Sequence, residues 1–152
     1  MRRPSLYALA VLLLVAASIS VSCSDDDYFA DLGTADERLE KRIDATGDIA
    51  DEDAQAEEGN DAYRDFLEDL MELEPPAEAS APHENLVRAF SEIIDLIEEF
   101  EATGNNATDV TEAEFARTLE LAEEVSAACQ EIERIASARG NNLMLFCAED
   151  DQ

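Results

Sequence analysis

Cysteines, one histidine and many carboxylates are the side chains of this sequence that can bind ions or take part in reactions. Its 152 residues include Cys23, Cys129, Cys147 and His83, and 38 aspartates and glutamates stand against 10 lysines and arginines. Thiols form disulfides, carry lipids or act as nucleophiles, and clustered carboxylates bind cations. The net charge of −28 argues against a nucleic-acid partner, because binding phosphates needs clustered lysine and arginine.

His83 is predicted to be structural. A single histidine cannot build a multi-histidine zinc site, and no cysteine–histidine relay or haem-attachment motif can be drawn around it. A functional His83 would act alone as an acid or base beside Glu78 or Glu84. We expect it instead to pack and hydrogen-bond in the proline-rich turn, where it helps to fix the approach of the second and third helices. No catalytic residue is predicted, and the chain is not expected to be an enzyme.

The carboxylates do not form a recognisable metal motif. A two-metal bundle site needs Glu-x-x-His on two helices, which this sequence lacks. The acidic run at 51–53 has no glycine at the sixth position of a calcium loop. We therefore predict no metal site and no cofactor. Diffuse cation binding on the acidic face at 48–61 is the open alternative, in which Ca²⁺ or salt orders the first helix.

The first 22 residues have the pattern of an export signal. Arg2 and Arg3 precede an unbroken apolar run of 12 residues from Leu6 to Ala17, and small side chains follow up to Cys23. A twin-arginine route is a weaker option, since Pro4 and Ser5 follow the arginine pair. Retention as a membrane helix is also open, because about 20 uncharged residues span a bilayer. Either reading places the acidic remainder on the extracytoplasmic side.

The end of this segment resembles the lipobox of bacterial lipoproteins, in which a small residue precedes the cysteine that becomes the lipidated N-terminus. Ser22 occupies the small position and Val21 an accepted one, whereas Ser20 stands where leucine is most frequent. The resemblance implies cleavage before Cys23 and acylation of Cys23 with diacyl and amide-linked chains, palmitate among them. Such an anchor exceeds what stable membrane attachment requires.

Once Cys23 is assigned to the anchor, Cys129 and Cys147 are left as a pair in an oxidising compartment. The alternative is a redox pair or a nucleophilic thiol. The spacing is not C-x-x-C, and no basic neighbour lowers a thiol pKa. We predict a structural disulfide.

Helical periodicity predicts four helices joined by polar turns. The first runs from Tyr28 to about Glu58 and is weakened at Gly33 and Gly47; the second begins near Asp61 and ends before Pro75. Ser80 is the predicted N-cap of the third helix. Apolar positions are predicted for the first helix at Tyr28, Phe29, Leu32, Leu39, Ile43 and Ala50, for the second at Tyr63, Phe66, Leu67, Leu70 and Leu73, and for the third at Leu86, Phe90, Ile93, Ile97 and Phe100.

The fourth helix is predicted from a capping box of Thr111 and Glu114 to a C-terminal cap at Gly140. Its apolar stripe is Phe115, Leu119, Ala122, Val125, Cys129, Ile132 and Ala136. A strand-like tail at 143–146 would be pinned to this helix by Cys147. Short polar turns favour an antiparallel four-helix bundle.

Three segments resemble small acidic, secreted or lipid-anchored helical proteins of bacteria: 66–70, 73–78 and 83–87. The Ala128-Cys129 pair, Gly140 and the apolar tail closing on Cys147 extend the resemblance over most of Tyr28 to Cys147. It implies no particular activity. The expected organisation is a signal peptide at 1–22, a lipid-anchored tether at 23–27, a bundle at 28–147 and an acidic tail at 148–152. The predicted role is binding or structure at the cell envelope, with a membrane anchor and with basic proteins or divalent cations as partners.

Overall fold

The computed structural model describes residues 24–103 and 111–148, and this part of the chain is all-helical. Its elements are α1 (Ser24–Thr46), α2 (Glu52–Glu72), α3 (Ser80–Thr103), α4 (Glu112–Ala138) and a 3-10 turn (Phe146–Ala148). Helices that follow one another along the chain pack together, and the 3-10 turn lies against both α4 and α1. The predicted antiparallel bundle with a pinned tail is confirmed. The predicted signal peptide at 1–22, Cys23, residues 104–110 and residues 149–152 lie outside the described residues.

The two ends of the bundle are named separately, because the tail after α4 begins at one of them. We call the end that contains Ser24, Glu72, Ser80 and Ala138 the base, and the opposite end, with Thr46, Glu52, Thr103 and Glu112, the tip. The tail after α4 starts at the base and runs back toward the tip. In an antiparallel bundle α1 would lie beside α4, but in the described residues these helices make few direct contacts. The tail therefore occupies the seam between them.

The first half of the chain differs from the sequence prediction at both limits of α1. Residues 25–27, expected to be a solvated tether, are helical, because α1 begins at Ser24. At the other limit the helix ends at Thr46 rather than near Glu58. The Gly47 N–H donates to the Asp44 carbonyl at 3.2 Å, and the chain turns there. Glycine was recognised as a weak point, and at position 47 it marks the end of the helix.

A new helix starts well before the predicted position because Asp51 caps it. The Asp51 side chain accepts a hydrogen bond from the Ala54 N–H at 3.0 Å, which satisfies one of the free donors of the first turn. Gly59 lies inside α2 and does not end a helix. The Arg42 guanidinium contacts Glu58 at 2.7 Å, one residue before the glycine, so α1 supports this segment from outside.

The remaining helix ends follow the sequence closely. α2 stops at Glu72, before the two prolines, as predicted. α3 starts at Ser80, but Ser80 is its first residue and not its cap, since its hydroxyl donates to Glu84 at 3.0 Å. The predicted capping box of Thr111 and Glu114 is present in both directions.

Gly140 ends α4 with a positive φ of 83°. The N–H groups of Gly140 and Asn141 donate to the carbonyls of Ser137 and Ala136, which is the hydrogen-bond pattern of a Schellman cap. This reversal sends the tail back along α4, and the predicted C-terminal cap is confirmed. The tail itself is irregular up to its 3-10 turn, where a strand-like segment was predicted.

The buried core extends from the base to the middle of the bundle. Its large, fully buried side chains are Leu32, Leu70, Leu86, Leu121, Cys129 and Ile132. Toward the tip, the last buried apolar residues are Leu39 on α1, Ala62 on α2, Ile94 on α3 and Leu121 on α4. None of the helices in residues 24–103 and 111–148 has the length and apolar content needed to cross a membrane.

Candidate functional site

The surface of α4 that faces the seam with α1 is built on one stripe. Phe115, Leu119, Ala122, Ser126, Cys129 and Glu133 follow one another at spacings of four and three residues, which place them on one flank of a helix. Toward the base, this stripe binds the tail. Cys129 and Cys147 form the predicted disulfide, with an S–S distance of 2.02 Å. The Glu133 carboxylate accepts the Leu145 N–H at 2.6 Å.

α1 holds the other side of the tail. The Asp36 carboxylate accepts the Phe146 N–H at 2.9 Å, so two helices bind the backbone of two consecutive tail residues. One turn earlier, the position that a Cβ on Gly33 would occupy is 3.1 Å from a methyl carbon of Leu143. Gly33 was predicted only as a weak point of the helix. It provides room for the tail, because a side chain there would displace Leu143.

Asp36 is an acid buried among other acids. Only 4 % of its surface is exposed, and its Oδ1 atom has no hydrogen-bond partner among the described residues. The pKa of Asp36 is raised to about 6, mainly because burial disfavours the charged carboxylate; the charges of three neighbouring glutamates also raise it, and the hydrogen bond from the Phe146 N–H lowers it. The tail backbone therefore binds a carboxyl group whose ionised form is disfavoured because it is shielded from water.

Toward the tip, the same stripe of α4 is uncovered. Phe115 is 59 % exposed and Leu119 is 51 % exposed, and Ala122 is also exposed. We call Phe115, Leu119 and Ala122 the apolar strip. The predicted apolar stripe of this helix is therefore buried only in part, since these three residues are exposed whereas Val125, Cys129, Ile132 and Ala136 are buried. Leu121, on the flank that faces the bundle, is fully buried in their place.

His83 packs and forms a hydrogen bond at the start of the third helix, as was predicted. It is buried at the base, and its Nδ1 lies 3.1 Å from the Tyr28 hydroxyl. A hydrogen bond to the backbone of Leu70 raises its pKa, but burial has the larger effect, and the pKa of His83 lies below its ordinary value. The imidazole joins α1, α2 and α3, one helix more than the sequence suggested.

Arginines bridge the other three seams. Arg42 on α1 pairs with Glu58 and Asp65 on α2. Arg64 on α2 lies 3.7 Å from Glu98 on α3.

The α3–α4 seam has two such bridges. Arg88 pairs with Glu124, and Arg117 pairs with Glu92. These arginines lower the pKa of Glu92, which stays ionised. The α1–α4 seam is bridged instead by carboxylates that bind the tail backbone.

The acidic face at 48–61, the predicted alternative site for cations, is partly committed to the protein itself. Asp51 caps α2, Glu58 pairs with Arg42, and Asp61 pairs with Arg64 at 3.0 Å. In the described residues, no group of three or more histidine, cysteine, aspartate or glutamate side chains converges as a metal site would require. A shallow groove of about 190 Å³ between α3 and α4 is lined by Glu92, Asp95, Leu96, Glu99 and Arg117.

Comparison with protein families, with curated proteins and with solved structures gave no match to this chain. The site is therefore interpreted from its own chemistry. The α1–α4 seam contains a covalent crosslink, two backbone clamps and an uncovered apolar surface. These features hold a segment in place and offer a contact surface.

Proposed function

We propose that the protein is a lipid-anchored component of the cell envelope that binds partners on the extracytoplasmic side. The observation that supports this best is the Cys129–Cys147 disulfide, because such crosslinks persist in oxidising compartments and are rare in the cytosol. With these two thiols paired, Cys23 is the one cysteine left for acylation. The export-signal pattern and the lipobox-like exit before Cys23 support the same compartment.

The start of α1 agrees with an anchor at the base. Helix begins at Ser24, directly after the proposed lipidation site, so acyl chains on Cys23 would hold the base next to the bilayer. The tip, with its exposed acids and the apolar strip, would then face away from the membrane. The role of the bundle is to present this end to basic partners.

The anchor is tested by intact-mass measurement of the membrane fraction. We expect a chain that begins at Cys23 and carries added acyl mass, and a Cys23→Ser variant that is found in the soluble fraction or stays unprocessed. A matched control is the double variant C129A/C147A, which removes the other two cysteines and keeps the anchor. A full-length mass in the membrane would indicate an uncleaved helix. Unprocessed protein with free thiols in the cytosol would overturn the proposal.

A further inference from the structure

The apolar strip differs from an ordinary exposed apolar residue. A single exposed side chain such as Met71, at 59 %, is common on protein surfaces and needs no explanation. Phe115, Leu119 and Ala122 instead continue a stripe whose other half is buried under the tail. This flank of α4 is apolar at Phe115, Leu119, Ala122 and Cys129, and Ser126 and Glu133 are the polar positions between and after them. The chain covers the half toward the base, up to Cys129 and its bond to Cys147.

The facing flank of α1 is more polar. Asp36, which holds the tail, is followed at helical spacing by exposed Glu40 and then by Ile43, which is half-buried against the core. Above the tail, the apolar surface therefore comes mainly from α4, and α1 adds carboxylates. Glu40 and Asp44 border it on α1, and Glu112 and Glu123 flank the apolar strip on α4; all four are exposed. Apolar groups bordered by carboxylates are complementary to a surface that is apolar at its centre and basic at its edges.

The nearby arginines are turned to other seams. At the tip, Arg42 on α1 pairs with α2, and Arg117 on α4 pairs with α3. At the α1–α4 seam, a basic side chain of a partner would form ion pairs with carboxylates of both helices, as these arginines do across the other seams. A second copy of the chain is a poor occupant, since its net charge is also −28 and it would place carboxylates against carboxylates. The four residues after the 3-10 turn, Glu-Asp-Asp-Gln, bring no apolar side chain.

We propose that the apolar strip is the docking site for a cationic amphipathic helix of a partner protein. The partner helix lies in the seam between α1 and α4 above the tail, with apolar residues against Phe115 and Leu119 and with lysines or arginines against the bordering carboxylates. This is the helix-in-groove mode of recognition. The inference names the partner chemistry for the proposed function and rests on it only for the compartment in which the two proteins meet.

The test uses the purified full chain and a fluorescent synthetic helix of leucine and lysine, about 18 residues long, with apolar residues at helical spacing. We expect the double variant F115Q/L119Q to bind this peptide about tenfold more weakly than the wild type, or worse. M71Q is the matched control, because Met71 is equally exposed but lies at the base; its affinity should be unchanged. Circular dichroism should show the same helix content in all three proteins.

Two further measurements decide the character of the binding. A peptide with the same composition in scrambled order should bind weakly, and raising NaCl from about 0.05 to about 0.5 M should weaken binding of the ordered peptide. Equal affinity of F115Q/L119Q and the wild type, or equal binding of the ordered and scrambled peptides, would overturn the proposal. Sedimentation that shows self-association of the wild type, lost in F115Q/L119Q, would assign the strip to a second copy. None of these results depends on the state of Cys23, so failure of the anchor is recognised separately.

Discussion

The base and the tip of this bundle use the same kind of helix for different purposes. At the base, side chains from all four helices and the tail meet: His83 joins three helices, the disulfide binds the tail, and Arg139 reaches Glu78 at 2.6 Å. At the tip, the apolar stripe of α4 is exposed, and arginines bridge neighbouring helices. The stable part of the protein is thus separate from the part that offers a contact surface.

This separation has an energetic reason. Burial of apolar side chains stabilises a bundle by about 1.5–3 kcal/mol for each large residue, whereas an exposed ion pair contributes about 0–1 kcal/mol. Fully buried large side chains lie between the base and the middle, whereas the tip has half-buried residues such as Ile43 and Ile97 together with ion pairs. We therefore expect the tip to be the less stable end of the bundle.

The largest difference in stability between the two ends should come from replacing a helical leucine at each end with alanine. Leu70 is fully buried at the base and Leu119 is 51 % exposed at the tip. We expect Leu70→Ala to lower the free energy of unfolding by about 2–5 kcal/mol, because it leaves a cavity, and Leu119→Ala to change it by about 0.5 kcal/mol or less. Urea unfolding followed by circular dichroism measures both. Similar losses for the two variants would mean that Leu119 is part of the core.

Removal of the disulfide should weaken the base and leave the tip unaffected. The bond closes a sequence separation of 18 residues, so C129A/C147A should lose roughly 3 kcal/mol of stability. Hydrogen exchange should become faster at the Leu145 and Phe146 amides, whose acceptors are on α4 and α1. Exchange of the Phe115 amide at the tip, which donates to the Thr111 carbonyl at 3.0 Å, is the internal control. If it accelerated equally, the tail would be shown to support the whole bundle.

The charge of Asp36 should be unfavourable at neutral pH. A pKa raised to about 6 means that the folded state binds the Asp36 proton more tightly than the unfolded chain. This contribution to stability is present at low pH and is lost as the pH rises through the folded pKa. Asp36→Asn should therefore raise stability by roughly 1–2 kcal/mol at about pH 7.5, and the gain should fall toward zero near about pH 4.

Exposed Asp31 on the same helix provides the control, since Asp31→Asn relieves general repulsion without touching the tail. The lowered pKa of His83 acts in the opposite sense, because its contribution is lost as the pH falls below its ordinary value. The free energies of unfolding of the two variants are therefore compared at each pH, because the pH dependence of a single protein combines the effects of both groups. An equal gain from D31N would show that burial of Asp36 is unimportant.

A change of about the same size, but in the direction of lower stability, should come from loss of the Tyr28–His83 hydrogen bond. Tyr28→Phe leaves a buried imidazole nitrogen without its partner and should cost about 1–2 kcal/mol. Tyr63, half-buried on α2 and nearer the tip, is the matched control, and Tyr63→Phe should have a smaller effect. Thermal unfolding of the two variants checks this. If both variants lost the same stability, the His83 cluster would have no special part in holding the base.

The sequence predicted the base well because the signals there are local. The prolines after α2 and the Schellman glycine at 140 act on the residues next to them. The cysteine pair was predicted by counting, since two cysteines remain once Cys23 is assigned to the anchor. His83 was placed correctly in its turn, but its contact with Tyr28, 55 residues away, could not be deduced from spacing. The burial of Asp36 was missed for the same reason, since it depends on a tail that arrives 110 residues later.

The tip was predicted less well because periodicity identifies the residues that share a flank and not the neighbour that covers them. Phe115, Leu119 and Ala122 do share a flank with Cys129, but they are exposed, whereas Cys129 is buried and bonded to the tail. Gly59 shows a related limit. The second helix was predicted to begin near Asp61, just after this glycine, yet α2 starts at Glu52 behind the Asp51 cap and continues through Gly59.

The start of α1 at Ser24 has a consequence for the reach of the molecule. If Cys23 carries the lipid, helix α1 follows the anchor without a flexible linker. This helix has 23 residues and is therefore about 35 Å long. A domain on a long flexible linker can sample a large volume above the membrane, whereas a domain anchored in this way stays in a thin layer next to the lipid. Whatever docks at its far end has to be found within that layer.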